Sequence, residues 1–176
     1  MTGRSRWKLI LFPLVAMLCA SPLLAKEGRK MKLTSPEFAD NAPIPNRFSC
    51  KGDDVNPPLE IEGVPPEARS LALIMDDPDA PVGTWVHWVL WNIDPATKRI
   101  AVASVPPGAQ EGMNSWRRKN YGGPCPPSGT HRYYFRLYAL KERLNLPPTT
   151  TSKDLDHAMH GKILAQCELL GLFSHK

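Results

Sequence analysis

"DDPDAPVGTWVHWVLWNI", Asp76 to Ile93, decides the fold. Its second half, Thr84 to Ile93, is rich in Val, Ile and Trp, contains neither Gly nor Pro, and is too short for a typical buried helix. It reads as a β-strand, and because both faces are apolar it is expected at the centre of a covered sheet. Its first half packs Asp76, Asp77, Asp79, Pro78 and Pro81 into a stiff, acidic loop that runs straight into that strand. Proline fixes φ, so such a loop loses little entropy when it grips something.

The same grammar recurs on either side. "SLALIM" (Ser70 to Met75) and "HRYYFRLYAL" (His131 to Leu140) are further strands, while Pro57-Pro58, Pro65-Pro66, Pro106-Pro107, Pro126-Pro127 and Pro147-Pro148 mark loops. One helix is expected from Ser152, its cap, through Leu155, Met159, Ile163, Gln166 and Leu170, with Cys167 as a small buried hydrophobe on it. His157 and His160 fall on its solvated face. Strands joined by Pro-rich loops, with helix concentrated at the end, predict a mainly β domain: an antiparallel β-sandwich with short helices and one C-terminal helix.

Residues 1–25 read as a signal peptide. Arg4, Arg6 and Lys8 precede an apolar run, Leu9 to Ala20, and Ala25 offers a cleavage point. The run is interrupted by Pro13 and is too short for a permanent span, so the protein domain is expected over 26–176, exported to a periplasmic or secreted location without a stable membrane span after cleavage. The net charge of +5 loses three with Arg4, Arg6 and Lys8 and falls to +2. That is no nucleic-acid footprint, and Arg117, Arg118 and Lys119 form the only basic run. Cleavage leaves Cys50, Cys125 and Cys167, which allow at most one intramolecular disulfide. No CxxC pair supports structural zinc, and no motif calls for a cofactor or metal.

Alternation along the strands puts His87 on one face with Trp85, Val89 and Trp91, and His131 on one face with Tyr133 and Phe135. Asp77 and Asp79 follow the first strand directly. A second loop, "YGGPCPPSGT" (Tyr121 to Thr130), leads into His131, and its Gly122 and Gly123 expose amides that can cradle an anion. It lacks the lysine and the helix of a P-loop.

"DDPDAPVGTWVHWVLWNI" followed by "YGGPCPPSGTHRYYFRLYAL" resembles the phosphatidylethanolamine-binding protein family, also called the Raf kinase inhibitor protein family, closest to its bacterial branch. The likeness extends from "KLTSPEF" (Lys32 to Phe38) through "FSCKGDDVNPPL" (Phe48 to Leu59) to "LLGLF" (Leu169 to Phe173). It implies a β-sandwich with Greek-key connections and a small pocket for phosphate-like anions. Carried onto this chain, it implies ligand-binding roles for Asp77, Asp79, Pro81, His87, Pro126, His131 and Tyr133; the loop amides add Gly123 and Cys125 to the expected site, with Arg132, Trp85 and Tyr121 supporting it. Arg132 is expected to leave the opposite strand face and pair with a carboxylate of the first loop. The chain departs from bacterial relatives at "GMNSWRRKNYGG" (Gly112 to Gly123), where Ser115 replaces an acidic residue and Trp116, Arg117 and Arg118 enter.

The leading expectation is an exported binding protein for a phosphate-like small anion or phospholipid headgroup, with regulation through an unidentified protein partner and formation of a homodimer as further expectations. A metal-dependent or acid/base hydrolase using Asp77, Asp79, His87 and His131 is the alternative from another class. A protease- or kinase-inhibitor-like role rests on the resemblance alone.

Overall fold

The computed structural model describes residues 30–174, so the expected leader and its cleavage point lie outside the described residues. In chain order the elements are β1 (Lys32–Thr34), β2 (Ala42–Pro43), β3 (Leu59–Glu62), β4 (Ser70–Asp77), β5 (Trp85–Ile93), β6 (Arg99–Ile100), β7 (Gln110–Glu111), β8 (Thr130–Leu140), α1 (Ser152–Met159) and β9 (Ile163–Ser174). They form two sheets, one in the order β1-β3-β6 and the other β2-β9-β8-β4-β5-β7. Pairing is antiparallel except between β2 and β9.

The main core lies between the sheets. Leu33, Leu59, Ile61 and Ile100 of the small sheet share one buried cluster with Leu73, Met75, Trp88, Leu90, Phe135 and Leu137 of the large one. A second cluster covers the opposite face of the large sheet, where Leu155 and Met159 of α1 pack on Ala72, Ile74, Val89 and Trp91. This coverage corrects the placement of β5. β4 and β8 are the central strands, and β5 lies one place from the edge, beside the two-residue β7. Its two apolar faces reflect a core on one side and a helix on the other.

The expected long helix is corrected as well. α1 ends at Met159, and Gly161 turns the chain at φ 70°, a left-handed conformation that suits glycine. From Ile163 the chain is β9, paired with β8 along its length. The helical recurrence of Ile163, Gln166 and Leu170 yields to this ladder, and Cys167 is half-buried on a strand. The N-cap is Thr151 rather than Ser152: its hydroxyl accepts from the Asp154 amide and the Asp154 carboxylate accepts from the Thr151 amide. His157 and His160 are both exposed.

Candidate functional site

β4, β5 and β8 bring their loop-side ends together at one edge of the core. On β4, Asp76 turns to the outer face, where it pairs with Arg136, and Asp77 turns inward. On β8, His131 and Tyr133 face inward with Phe135 and Leu137, as alternation requires.

β5 breaks that alternation. Asp76 pairs with Val86 and Met75 with Trp88, so His87 is the extra residue of a β-bulge. The expectation that His87 shares a face with Val89 and Trp91 is therefore corrected. Val89 and Trp91 lie under α1, while His87 meets Tyr133 edge-on with ring centroids 5.2 Å apart. A bulge re-aims one side chain and leaves the neighbouring core contacts in place.

Each histidine is fixed through Nδ1. His131 Nδ1 bonds the Asp77 carboxylate at 2.7 Å, and His87 Nδ1 donates to the Gly122 carbonyl at 2.6 Å. Both rings are buried, and burial holds the His87 imidazole below its ordinary pKa, the neutral form being favoured. In a neutral ring whose Nδ1 carries the proton, Nε2 is an acceptor. Neutral His87 therefore presents no donor to a ligand.

The aspartates are occupied within the chain. Asp77 Oδ1 accepts from the Asp79 amide at 2.8 Å, closing the loop on itself. Asp79 takes both Nε and Nη2 of Arg132, at 2.9 and 2.7 Å, together with the Arg132 amide. The guanidinium holds the Asp79 carboxyl down at a pKa of about 2. Pro81 is exposed on the same loop, whereas Pro126 is buried.

The Gly122–Cys125 segment is anchored on the stretch Phe48–Asp54. Cys50 and Cys125 form a disulfide, the Cys50 amide donates to the Pro124 carbonyl, Tyr121 Oη donates to the Phe48 carbonyl at 2.9 Å, and the Gly123 amide donates to Asp54 Oδ1 at 2.6 Å. The Gly122 amide donates to the His87 carbonyl. The amides of Gly122 and Gly123 are thus already in use, and because Pro124, Pro126 and Pro127 have no N–H, the cradle expected of this segment reduces to the Cys125 amide. Asp54 and the disulfide give no local signal in the sequence, because each acts across the fold.

Tyr133 has no exposed surface, and its hydroxyl completes no hydrogen bond. Burial first, and then the Asp77 charge, raises its pKa well above the usual phenol value, while a weak hydrogen-bonding influence of the Cys125 amide acts the other way. Trp116 supplies an aromatic wall, edge-on to His87 at 5.1 Å and to Trp85 at 5.4 Å. It lies on Gly122, where an added Cβ would come within 2.6 Å of the indole. A concavity of about 690 Å³ lies elsewhere, between β1 and β9 beside Arg136 and Cys167. The candidate site adjoins a cleft of about 230 Å³ lined by Trp116, Gly122, Gly123 and Cys125.

Residues 34–174 match the model of the phosphatidylethanolamine-binding protein family. The chain belongs to that family. Relatives include a UPF0098 protein of Methanothermobacter thermautotrophicus, 45% identical over 81% of this chain and 98% of that one. A Mycobacterium tuberculosis relative, LppC, whose name marks it as a candidate lipoprotein, is 43% identical over 85% of this chain and 75% of its own. Among solved structures, the phosphatidylethanolamine-binding protein homolog CT736 of Chlamydia trachomatis superposes with a TM-score of 0.81 at 39% identity, covering 84% of this chain and 99% of that one. YbcL of E. coli, a further family member, gives 0.78 at 27% identity with the same coverage. The mainly β fold of two sheets and one helix is therefore that of the phosphatidylethanolamine-binding proteins.

Proposed function

We propose that this chain is an exported binding protein whose pocket, formed by His87, His131 and Tyr133, takes a phosphate-like anion, the phosphate of a phospholipid headgroup included. The observation that carries the reading is the buried, unbonded hydroxyl of Tyr133. Such a group costs about 1–3 kcal/mol, a penalty that a ligand oxygen accepting from it would remove. Two histidines stand beside it, each anchored through Nδ1 and each with an Nε2 that makes no hydrogen bond within the described chain.

The protonation logic narrows the chemistry. An anion meeting His87 needs a proton between them, carried either on the ring or on the anion. A phosphate with one P–OH supplies it by donating to Nε2, and a fully ionised group requires the imidazolium. Binding is therefore coupled to proton uptake and strengthens as pH falls through the histidine range, until the anion itself is neutralised.

The hydrolase alternative would need Asp79 and His87 as free ligands or bases. Arg132 engages Asp79 on both oxygens, and His87 has given Nδ1 to a backbone carbonyl. The donor set fits anchoring better than metal capture. Export is supported by the charged and apolar leader, by a disulfide that persists in oxidising compartments, and by the name of the LppC relative. Mass spectrometry finding an intact Met1 on the exported protein would reverse that part of the proposal.

Calorimetry with inorganic phosphate and with glycerophosphoethanolamine, each in buffers of different ionisation enthalpy, tests the pocket. Binding with proton uptake in wild type, weakened about tenfold or more in Tyr133→Phe and in His131→Ala, is expected, since hydrogen bonds to charged groups contribute about 1.5–3 kcal/mol. Equal affinities in folded wild type and variants would move the site elsewhere.

A further inference from the structure

The basic run Arg117–Lys119 and the exposed tip of the β4–β5 loop have no part in the pocket chemistry, yet each is joined to an element of the pocket: the run follows Trp116, which packs on His87, and the loop leads from Asp77 into β5. Trp116 packs on Trp85 and His87, the Ser115 amide donates to the Val86 carbonyl, and the Ser115 hydroxyl accepts from the Val86 amide. The 114–118 turn is thereby fastened to the start of β5, the strand that the β4–β5 loop enters. That loop carries Val82, 79% exposed, beside exposed Pro81.

The turn is built rigidly around an exposed indole. Asn114 Oδ1 accepts from the amides of Trp116 and Arg118, and Asn114 Nδ2 donates to the Asn120 carbonyl. Arg117 holds a left-handed φ of 59°. Trp116 is 38% exposed on this fixed support, so its exposure does not come from a loose loop. Arg117, Arg118 and Lys119 are exposed, and none of them makes an ion pair among the described residues. Of the carboxylates on these loops, Asp79 is paired with Arg132, while Asp77 and Asp54 are hydrogen-bonded to His131 and to the Gly123 amide. The mouth is thus a cationic rim with two apolar tips.

We infer that this rim docks on the surface of an anionic bilayer, with Trp116 and Val82 entering the interface and Arg117, Arg118 and Lys119 meeting lipid phosphates. Tryptophan has one apolar and one hydrogen-bonding end and suits the headgroup level. Each basic residue near an anionic surface strengthens attachment about fivefold, and apolar tips add a second, salt-resistant contribution. The occupant favoured is an anionic bilayer rather than an acidic protein, because the apolar tips rise from two separate loops beside a run of three exposed cations without ion-pair partners among the described residues, a mixture of apolar and cationic groups that suits a lipid interface. The inference rests on the pocket reading for its purpose, since docking would bring the His87–Tyr133 mouth to lipid-borne phosphate, but its binding energy comes from different residues.

Flotation with phosphatidylcholine vesicles, with and without phosphatidylglycerol, separates the two readings. The purified protein is compared with Arg117→Glu/Arg118→Glu/Lys119→Glu and with Val82→Glu, and each is also titrated with inorganic phosphate. Wild type is expected to float with phosphatidylglycerol vesicles only, and less so at high salt. The triple variant should lose about a hundredfold in vesicle affinity and Val82→Glu several-fold, while both keep their phosphate affinity within about threefold. An uncleaved leader would bind both vesicle types alike, so the contrasts between lipids and between variants decide the result. Wild type that ignores anionic vesicles, or a folded triple variant that binds them equally well, overturns the docking inference, and an acidic protein partner then becomes the better reading of the rim. Vesicle binding that follows the rim charges in a protein with no phosphate affinity leaves docking standing and overturns the pocket reading alone.

Discussion

Asp77 and His131 meet inside the protein, Oδ2 to Nδ1 at 2.7 Å, across the ends of two neighbouring strands, and neither side chain is more than a tenth exposed. The carboxylate's second oxygen accepts from the Asp79 amide. One residue therefore orients the ring and closes the loop that precedes β5. Asp77→Ala strands a buried ring nitrogen and a backbone amide, for an expected loss of about 2–5 kcal/mol. Asp77→Asn keeps an acceptor oxygen for the Asp79 amide, and its Nδ2 can donate to Nδ1 of the other His131 tautomer, so it should lose less. Denaturant midpoints for the two variants check the order, and equal losses would show that hydrogen bonding is not what Asp77 contributes.

Burial lowers the His87 pKa, with the Gly122 carbonyl and the Asp77 charge acting against that shift. The unfolded chain then binds the proton more readily than the native one. The stability associated with a neutral His87 is fully present above the unfolded value of about 6.5 and is lost as pH falls from there towards the lower folded value. For a single group the slope has an upper bound of about 1.4 kcal/mol per pH unit. Stability measured against pH in wild type and His87→Gln isolates this contribution, and the difference should flatten when saturating phosphate is present. Parallel curves without phosphate would mean that His87 does not titrate differently on folding.

The three long strands around the site were legible because each is a run of β-branched and aromatic residues bounded by prolines. The inward set His131, Tyr133 and Phe135 followed from period two. What the sequence did not carry was phase. A single inserted residue at His87 leaves composition unchanged but moves the ring across the sheet, and only the pairing of β4 with β5 reveals it. β9 was hidden for a related reason. Ile163, Gln166 and Leu170 fit helical spacing, and the β8 ladder and Gly161 decide against it. Trp116 could be noticed as an unusual residue, yet its contact with His87 depends on a turn fastened to β5.

Two adjacent glycines should respond differently to the same substitution. At Gly123 an added Cβ would lie 2.4 Å from the Phe48 carbonyl oxygen and 2.8 Å from Ser49 backbone atoms. Backbone cannot yield cheaply there, so Gly123→Ala should destabilise by about 3 kcal/mol or more. At Gly122 the nearest obstacle is the Trp116 ring, at 2.6 Å, and that side chain is part-exposed and can swing aside. Gly122→Ala should therefore fold, lose under about 2 kcal/mol, and show altered tryptophan fluorescence as the wall beside His87 opens. Thermal unfolding with emission spectra reads both effects, and reversal of the order would mean that the indole is the more rigid neighbour.

The Cys50–Cys125 disulfide joins points 75 residues apart, a closure that removes about 4.5 kcal/mol of unfolded-state entropy on the chain-entropy model. Removing it should lower stability by several kcal/mol. Its effect on the pocket should be much smaller, because three hydrogen bonds tie the same two segments: Tyr121 Oη to the Phe48 carbonyl, the Gly123 amide to Asp54, and the Cys50 amide to the Pro124 carbonyl. Cys50→Ser/Cys125→Ser, kept below its melting temperature, is expected to bind phosphate within about threefold of wild type. Asp54→Ala, with the disulfide intact, frees a buried amide beside the Gly122 carbonyl that holds His87, and should weaken phosphate binding more. Thiol labelling reports the covalent state independently: Cys50 and Cys125 react only after reduction, while Cys167, its pKa pushed up to about 11 by burial, reacts slowly throughout. If the folded double-serine variant loses phosphate binding while Asp54→Ala retains it, the covalent link and not the hydrogen bonds sets the shape of the loop.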